Sequence, residues 1–183
     1  MTLPVDDSTA TRLDVLERRL AELEAEREIR HLMHDYIEAC DHVRDAQVIG
    51  SCFTEDATWE GGNRYADWGT TTGRDAIVEM FAGTPDVLPF TAHWLCNERV
   101  EVTGRCEARG RWEVFQAATF ASSATAVWVG ARYDNQFRLT EHGWRIHHLV
   151  YSDVFVTPFD QGWARTEYTS PFEPLPTDTR SSR

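Results

Sequence analysis

Tyr36 and Asp41 are the first residues in the chain whose types and spacing are compatible with acid–base chemistry. Tyr36 lies in the apolar stripe of a predicted helix, and Asp41 lies near the end of that helix. Five residues of a regular α-helix rotate by about 500°, so these two side chains would point about 140° apart. They can share a site only if the helix ends or unwinds between them. Otherwise Asp41 is an ordinary exposed acid.

His93 is the next candidate, in a predicted strand that follows a proline-containing loop. An unperturbed histidine titrates at a pKa of about 6.5, which suits proton transfer near neutral pH. A strand histidine can equally be a hydrogen-bonded structural residue. Residues of the same parity as His93 are mixed in polarity, and Trp94 and Cys96 of the opposite parity are more apolar. Alternation therefore does not show which face of the sheet His93 occupies.

Other reactive side chains are less convincing as parts of a site. His31 and His34 have a helical spacing that can hold a metal, but nothing nearby completes a ligand set. Cys40 has no evident base beside it, so a buried structural thiol is the simpler interpretation. The sequence contains no nucleophile-elbow, zinc-protease or dinucleotide-binding motif. We expect no metal and no cofactor.

The charged residues exclude several classes of protein. All 18 basic residues are arginine, and the net charge is −12. Without lysine the chain has neither a Schiff-base nor a phosphate-loop lysine. Its acidic balance argues against nucleic-acid binding. No apolar run approaches the roughly 20 residues that span a bilayer, and no secretory signal is recognisable, so we expect a cytoplasmic protein with free thiols.

The elements that must position these residues are predicted from hydrophobic periodicity. Residues 1–10 are expected to be a loose leader, 11–157 a single domain and 158–183 an irregular tail. Helices are predicted over 11–24 and 26–42, as separate or continuous stretches, then in a short segment after Asp45 and over 74–82. A short strand is predicted at 57–60, and four long strands follow at 91–103, 106–120, 124–140 and 144–156.

This order of elements predicts an α+β fold, in which the N-terminal helices pack on one face of a curved antiparallel sheet. The space between the helices and the concave face is a favourable place for a small-molecule pocket. Leu13, Leu16, Leu20 and Leu23 recur at spacings of 3, 4 and 3. This narrow seam either packs on its own domain or joins copies of the chain.

An ordered set of segments carries a family resemblance. The segments are residues 27–36 (REIRHLMHDY), Asp41, residues 53–60 (FTEDATWE), residues 73–77 (GRDAI), His93 with Asn97, and residues 143–146 (GWRI). Together they resemble the SnoaL-like branch of the nuclear-transport-factor-2-like superfamily over roughly residues 12–157. The resemblance implies a cone-shaped α+β barrel with a pocket. The pattern is similar to that of scytalone dehydratase, bile-acid 7α-dehydratase and lindane dehydrochlorinase.

The resemblance also implies a site. Those enzymes use an Asp–His pair for cofactor-free elimination, and the matching positions here are Asp41 and His93. Tyr36 matches a site tyrosine of the bile-acid enzyme. Several relatives carry an arginine after the tryptophan of the last strand, where this chain has His148 and Leu149. Arg132 or Arg145 are the candidates to replace it. The expected substrate-binding residues are Trp59, Phe53, Trp94, Phe115, Tyr133, Arg132 and His148.

The function expected from this site is a dehydratase-type lyase or an isomerase of secondary metabolism, acting on a hydrophobic, ring-containing small molecule. Two alternatives remain open. One is a cofactor-free hydrolase, cyclase or oxygenase that uses the same pocket. The other is a non-catalytic assembly subunit that resembles the small subunit of ring-hydroxylating dioxygenases. The resemblance and the leucine seam imply a homo-oligomer, with a trimer favoured over a dimer.

Overall fold

We describe the protein from a computed structural model. The structure describes residues 7–63, 66 and 69–170, and for residues 7–10 the backbone alone. Among the described residues, four α-helices, one π-helical segment and six strands follow one another along the chain. They are α1 (Asp7–Glu38), a π-helical segment (Ala39–Val43), α2 (Ala46–Ser51), β1 (Phe53–Gly61), β2 (Thr70–Thr72), α3 (Arg74–Ala82), α4 (Thr84–Val87), β3 (Phe90–Val102), β4 (Glu107–Phe120), β5 (Thr125–Thr140) and β6 (Gly143–Pro158).

The six strands form one curved sheet in the order β2-β1-β6-β5-β4-β3. The sheet is mixed, because β1 runs parallel to β6 while every other neighbouring pair is antiparallel. An entirely antiparallel sheet was expected from the sequence. Strands β3 to β6 follow one another directly, so their turns impose antiparallel pairing. No turn links β1 to β6, and the hydrophobic pattern does not encode the direction of that pairing.

The predicted α+β architecture is confirmed. Side chains of one parity on β4 and β5 are buried in one core together with side chains from the second half of α1 and from α3. Trp112, Val114, Val127, Val129 and Phe137 come from the sheet, and Ile29, Met33 and Ile77 come from the helices. Two bulges in the β5–β6 pairing bend the sheet around this core. The bend leaves room between the helices and the concave face.

Helix α1 is a single long helix rather than two. It already includes residues 7–10, which were expected to belong to the leader. From residue 11 onward its first buried residue is Ala25, and its apolar side chains before that point are exposed. The leucine seam therefore does not pack on its own domain.

The described part of the C-terminal tail turns back along β6. Val156 and Tyr168 form a parallel bridge, in which Val156 N–H donates to Glu167 O at 2.9 Å and Thr169 N–H donates to Val156 O at 2.7 Å. The part of the predicted tail beyond Ser170 lies outside the described residues. None of the described helices is long and apolar enough to cross a membrane.

Candidate active site

A cavity of about 210 Å³ lies between the helices and the concave face of the sheet. Most of its lining is apolar, and Trp59, Phe81, Leu88, Phe120 and Val129 are representative. The polar groups in the lining come from different elements and include Tyr36, Arg44, Thr91, His93, Gln116 and Tyr133. An apolar cavity with a few convergent polar groups is typical of a small-molecule site.

Asp41 and His93 are directly hydrogen-bonded. Asp41 Oδ1 accepts from His93 Nδ1 at 2.6 Å, and Asp41 Oδ2 accepts from the backbone N–H of His93 at 2.7 Å. The side chains are 4% and 9% exposed, so solvent hardly competes for these bonds. Strand β3 is the edge of the sheet, so a backbone N–H can point away from β4 toward Asp41. The carboxylate thus holds both the ring and the backbone of His93.

The hydrogen bond to Asp41 also determines the tautomer of the histidine. A carboxylate acceptor at Nδ1 requires the proton to lie on Nδ1, so in the neutral imidazole the lone pair lies on Nε2. Within the described residues Nε2 has no hydrogen-bond partner, and His93 lines the cavity. A neutral imidazole in this state is ready to accept a proton from a molecule in the cavity.

The π-helical segment explains how Tyr36 faces the cavity while Asp41 reaches His93 at its wall. The α-helical geometry of α1 ends at Glu38. Residues 39–43 form one π-helical turn, in which Arg44 N–H donates a hydrogen bond of 2.8 Å to Ala39 O. Because a π-helix closes between residues five apart, the side chains after residue 38 rotate away from the positions that an α-helix would give them. Tyr36 consequently lines the cavity while Asp41 reaches β3. The condition stated from the sequence, a helix that unwinds between the two residues, is met.

Tyr36 lies at the centre of an aromatic and hydroxyl cluster. Its ring packs edge-on against Phe53, Phe81 and Tyr133, with ring centroids 5.8, 6.2 and 6.1 Å apart. Burial raises the pKa of Tyr36 well above its ordinary value, and interactions with Tyr133 and Cys40 raise it further. Tyr36 therefore stays protonated near neutral pH. It is suited to donate a hydrogen bond, and not to act as a base.

Asp41 remains ionised although it is buried. Burial by itself would raise its pKa, but the hydrogen bonds and charge of His93, with a further bond from Thr91, outweigh burial and lower the pKa of this carboxyl. The same Thr91 hydroxyl receives a bond of 3.3 Å from Arg44. Arg44, Thr91, Asp41 and His93 thus form one polar network beside an apolar cavity.

The lowered pKa of Asp41 predicts how stability depends on pH. The ionised carboxyl favours folding at pH above its ordinary pKa of 3.8, and this contribution is lost as the pH falls through the lower folded-state pKa. We expect Asp41→Asn to reduce the free energy of unfolding most at neutral pH and progressively less below about pH 4. Urea unfolding of both proteins at a series of pH values measures this difference.

Asp45→Asn is the matched control for that series. Asp45 caps α2, where its carboxylate accepts from Gln47 N–H and Val48 N–H, and asparagine caps a helix about as well. A difference between wild type and Asp41→Asn that is the same at pH 3 and pH 7 would contradict the electrostatic account of Asp41.

Arg44 lines the cavity, and sequence reasoning did not name it as a candidate. It follows the π-helical segment in a left-handed conformation, with φ 52° and ψ 36°, which turns its side chain toward the cavity. Its guanidinium donates to Leu88 O at 2.6 Å and to Thr91 Oγ1 at 3.3 Å. Among the described residues it has no carboxylate within ion-pair distance. The signal in the sequence was its position three residues after Asp41, a spacing that places two residues on one side of a regular helix. No motif marked it as part of a site.

The other expected site residues fall into two groups. Trp59 and Tyr133 line the cavity together with Tyr36 and His93. Phe53 is fully buried behind Tyr36 and supports that ring from the core. Its place at the start of β1, directly after α2, directs it into the core instead of the cavity.

Four of the expected site residues lie on the opposite, outer face of the sheet. Trp94 and Phe115 are partly exposed there, and their ring centroids are 6.0 Å apart. Arg132 forms an ion pair with Glu113 at 2.9 Å, and His148 bonds to Glu60 at 3.1 Å. The reason is strand alternation, which turns the neighbours of His93 and Tyr133 away from the cavity. Arg145, the other suggested arginine, donates to Trp144 O at 2.7 Å.

The fold and cavity define a class of protein, an α+β cone whose pocket lies under the N-terminal helices. The sequence profile of the SnoaL-like domain family matches residues 21–150. The chain belongs to this family, within the nuclear-transport-factor-2-like superfamily. Comparison with curated proteins gave no match.

Several solved structures share the fold. A scytalone dehydratase-like protein of Novosphingobium aromaticivorans is 19% identical, with a TM-score of 0.66 over 75% of this chain and 89% of that one. An aromatic ring hydroxylase-like protein of the same organism is 27% identical, with a TM-score of 0.66 over 74% and 94%. The type 3 hexachlorocyclohexane dehydrochlorinase LinA of Novosphingobium barchaimii is 18% identical, with a TM-score of 0.69 over 77% and 94%.

Proposed function

We propose that the protein is a cofactor-free lyase of the dehydratase type, or an isomerase, that acts on a hydrophobic, ring-containing small molecule. The observation that carries this proposal is the hydrogen-bonded pair of Asp41 and His93, with Nε2 of His93 unoccupied at the wall of an apolar cavity. Membership of a family whose solved neighbours include dehydratase-like and dehydrochlorinase proteins supports it.

His93 acts in this proposal as the general base. Its Nε2 takes a proton from a carbon next to a carbonyl or a conjugated system, and the C–H electron pair forms an enolate. The imidazolium that results is stabilised by the Asp41 carboxylate at 2.6 Å. Such a positioned base contributes about 10²–10⁴-fold to the rate.

The second half of the reaction determines its type. In an elimination, the enolate expels a hydroxyl from the next carbon, and the proton held by His93 returns to that oxygen so that water leaves. In an isomerisation, the same proton returns to a different carbon. Tyr36 serves as the donor to the oxygen that departs or develops charge, because its raised pKa keeps it protonated.

Arg44 supplies the positive charge that is absent at His148 and Leu149, the positions where several relatives carry an arginine. Two of its N–H groups are used by Leu88 and Thr91, which leaves others for a substrate oxygen. A guanidinium in a largely apolar cavity binds an enolate oxygen more strongly than the carbonyl from which it forms, because the charge increases in the transition state. We therefore assign it to the oxygen of the substrate carbonyl.

Arg44→Met is expected to lower kcat/KM by about 10–100-fold, the value of one charge-assisted hydrogen bond. Methionine retains much of the length of the side chain while removing all of its donors. Arg132→Met is the control, because Arg132 is also partly buried but binds Glu113 on the outer face. Steady-state kinetics measure kcat/KM of both variants. Equal values of kcat/KM would show that Arg44 does not contact the substrate.

The proposed function can be tested before the natural substrate is identified. Fused-ring ketones and β-hydroxy ketones are incubated with the protein in D₂O, and products are followed by NMR and mass spectrometry. Deuterium gain at the carbon next to the carbonyl reports proton abstraction, loss of water reports elimination, and an unchanged mass in H₂O with a moved double bond reports isomerisation. A protein that binds these ketones and catalyses none of the three would disprove the proposal.

A cofactor-free hydrolase, cyclase or oxygenase, or a non-catalytic assembly subunit, is the second candidate. The observation that favours it is the similarity, at 27% identity, to an aromatic ring hydroxylase-like protein. Incorporation of ¹⁸O from labelled water or labelled dioxygen into the product would identify hydrolysis or oxygenation. Co-purification with a large partner, together with no ketone binding, would identify the assembly subunit.

A further inference from the structure

The first half of α1 carries an apolar stripe that its own domain does not cover. Leu13, Leu16, Leu20 and Leu23 are 51, 52, 56 and 63% exposed. They repeat at the a and d positions of two heptads, so they lie on one side of the helix. The next two seam positions hold Arg27 and Arg30, and Arg30 is bound to Glu26 and Glu98 of its own domain. The stripe therefore ends where the helix joins the domain.

We infer that residues 11–24 of α1 bind the same segment of a second copy of this chain, as a parallel coiled coil in register. This inference is independent of the proposed function, because no residue of the segment lines the cavity. The charges that flank the leucines indicate that the binding partner is a second copy of the chain in a parallel orientation.

In the heptads defined by the leucines, Arg12 and Arg19 occupy g positions, and Glu17 and Glu24 occupy e positions. A parallel, in-register pair places each g residue beside the e residue five positions later in the other copy. Arg12 then meets Glu17 of the second copy, and Arg19 meets Glu24. Every flanking contact joins opposite charges, and each occurs twice by symmetry.

The antiparallel arrangement gives the opposite result. It places g beside g and e beside e, so with Leu13 opposite Leu23 it sets Arg19 against Arg19 and Glu17 against Glu17 of the second copy. Arg12 would then meet Glu26, which is already bound to Arg30 of its own chain. Like charges in such positions disfavour a pairing. Within the described part of the chain, none of the two arginines and two glutamates that the parallel pair joins has an ion-pair partner. They are therefore available to a second copy, and their signs select the parallel orientation.

The length of the seam determines what kind of association to expect. Two heptads are shorter than a coiled coil that is stable by itself, so the association should depend on concentration. Sedimentation equilibrium of the full chain over a wide concentration range measures it. Leu16→Glu/Leu20→Glu should raise the dissociation constant at least about tenfold, because each copy then places two charges in the apolar seam.

Val15→Glu is the matched control, since Val15 is exposed on the same helix but at a c position outside the seam. It should dissociate like the wild type, with equal helix content by circular dichroism. A dissociation constant that is the same in the wild type and the double leucine variant would overturn the inference. So would a chain that stays monomeric at the highest concentration.

Cross-linking tests the orientation. The exposed Cys96 and Cys106 are first replaced by serine, and Leu13→Cys and Leu23→Cys are made separately in that background. A parallel, in-register pair brings each position next to its own copy, so each variant alone should form a disulfide-linked dimer. Disulfides that form only in a mixture of the two variants would show an antiparallel pair and overturn the parallel assignment.

Discussion

His93→Ala is expected to reduce turnover by about 10²–10⁴-fold, the usual contribution of a positioned general base. Among the described residues, His93 is the only cavity-lining histidine. Its Nδ1 bonds to a carboxylate and its Nε2 has no hydrogen-bond partner there, so the variant loses the candidate base. Binding of the substrate should change much less than kcat, because alanine leaves the apolar lining in place. Rates of deuterium exchange into a fused-ring ketone, measured by NMR, give the result directly.

His148→Ala is the control for this experiment. His148 is also a strand histidine bonded to a carboxylate, Glu60 at 3.1 Å, but it lies on the outer face of the sheet. Added imidazole should restore part of the activity of His93→Ala by occupying the vacated space, and it should not affect the control. Wild-type exchange rates in His93→Ala would show that the base lies elsewhere.

Asp41→Asn is expected to have an effect of similar size, about 10²–10⁴-fold, although Asp41 acts through His93. An asparagine at this position can present its NH₂ group to Nδ1. The ring then carries its proton on Nε2, where the substrate proton should be received. The imidazolium also loses its counter-charge. Asp41 is therefore a positioning residue, and its loss should lower kcat more than it raises KM.

Nitrogen NMR of histidine-labelled protein distinguishes this account from simple destabilisation. In the wild type the Nδ1 signal of His93 should be that of a protonated nitrogen and Nε2 that of a bare one, and Asp41→Asn should reverse the two. Glu60→Gln is the control, because it alters the partner of His148 and leaves the His93 signals unchanged. A variant that is inactive but keeps the wild-type signals would contradict the positioning role.

The electrostatic design of the cavity follows from the same residues. Asp41 and Arg44 carry opposite charges, and both contact the Thr91 hydroxyl. These two charges balance each other before reaction, and the proton transfer that we propose would create an imidazolium and an enolate together. Each new charge then has a fixed partner of opposite sign, which needs no rearrangement of solvent in a largely apolar cavity.

Much of the fold could be predicted because its elements are long and strongly patterned. The strand of residues 124–140 alternates apolar and polar side chains, and Val127, Val129, Tyr133 and Phe137 are buried in the structure. The helix predicted over 74–82 coincides with α3. Local spacing carried this information, since burial of one face of a strand or helix repeats along the chain.

The site could be predicted only in part. Resemblance, and not spacing, placed Asp41 beside His93, while regular helix geometry separated Tyr36 from Asp41. Trp94 and Phe115 have the composition of a pocket wall but lie on the outer face, because a strand has two faces and the sequence did not show which one faced the helices. Arg44 carried no motif at all.

The sequence by itself determined the chemistry available to the protein. The chain has no lysine, and it has a strand histidine and a helix-terminal aspartate. An ordered set of short segments indicates its family. Only the tertiary structure decided which side chains meet. The π-helical segment and the left-handed Arg44 turn Asp41 and Arg44 toward an edge strand far away in sequence. Those contacts depend on backbone geometry at a few residues, where the energy differences between conformations are small and tertiary packing determines the outcome.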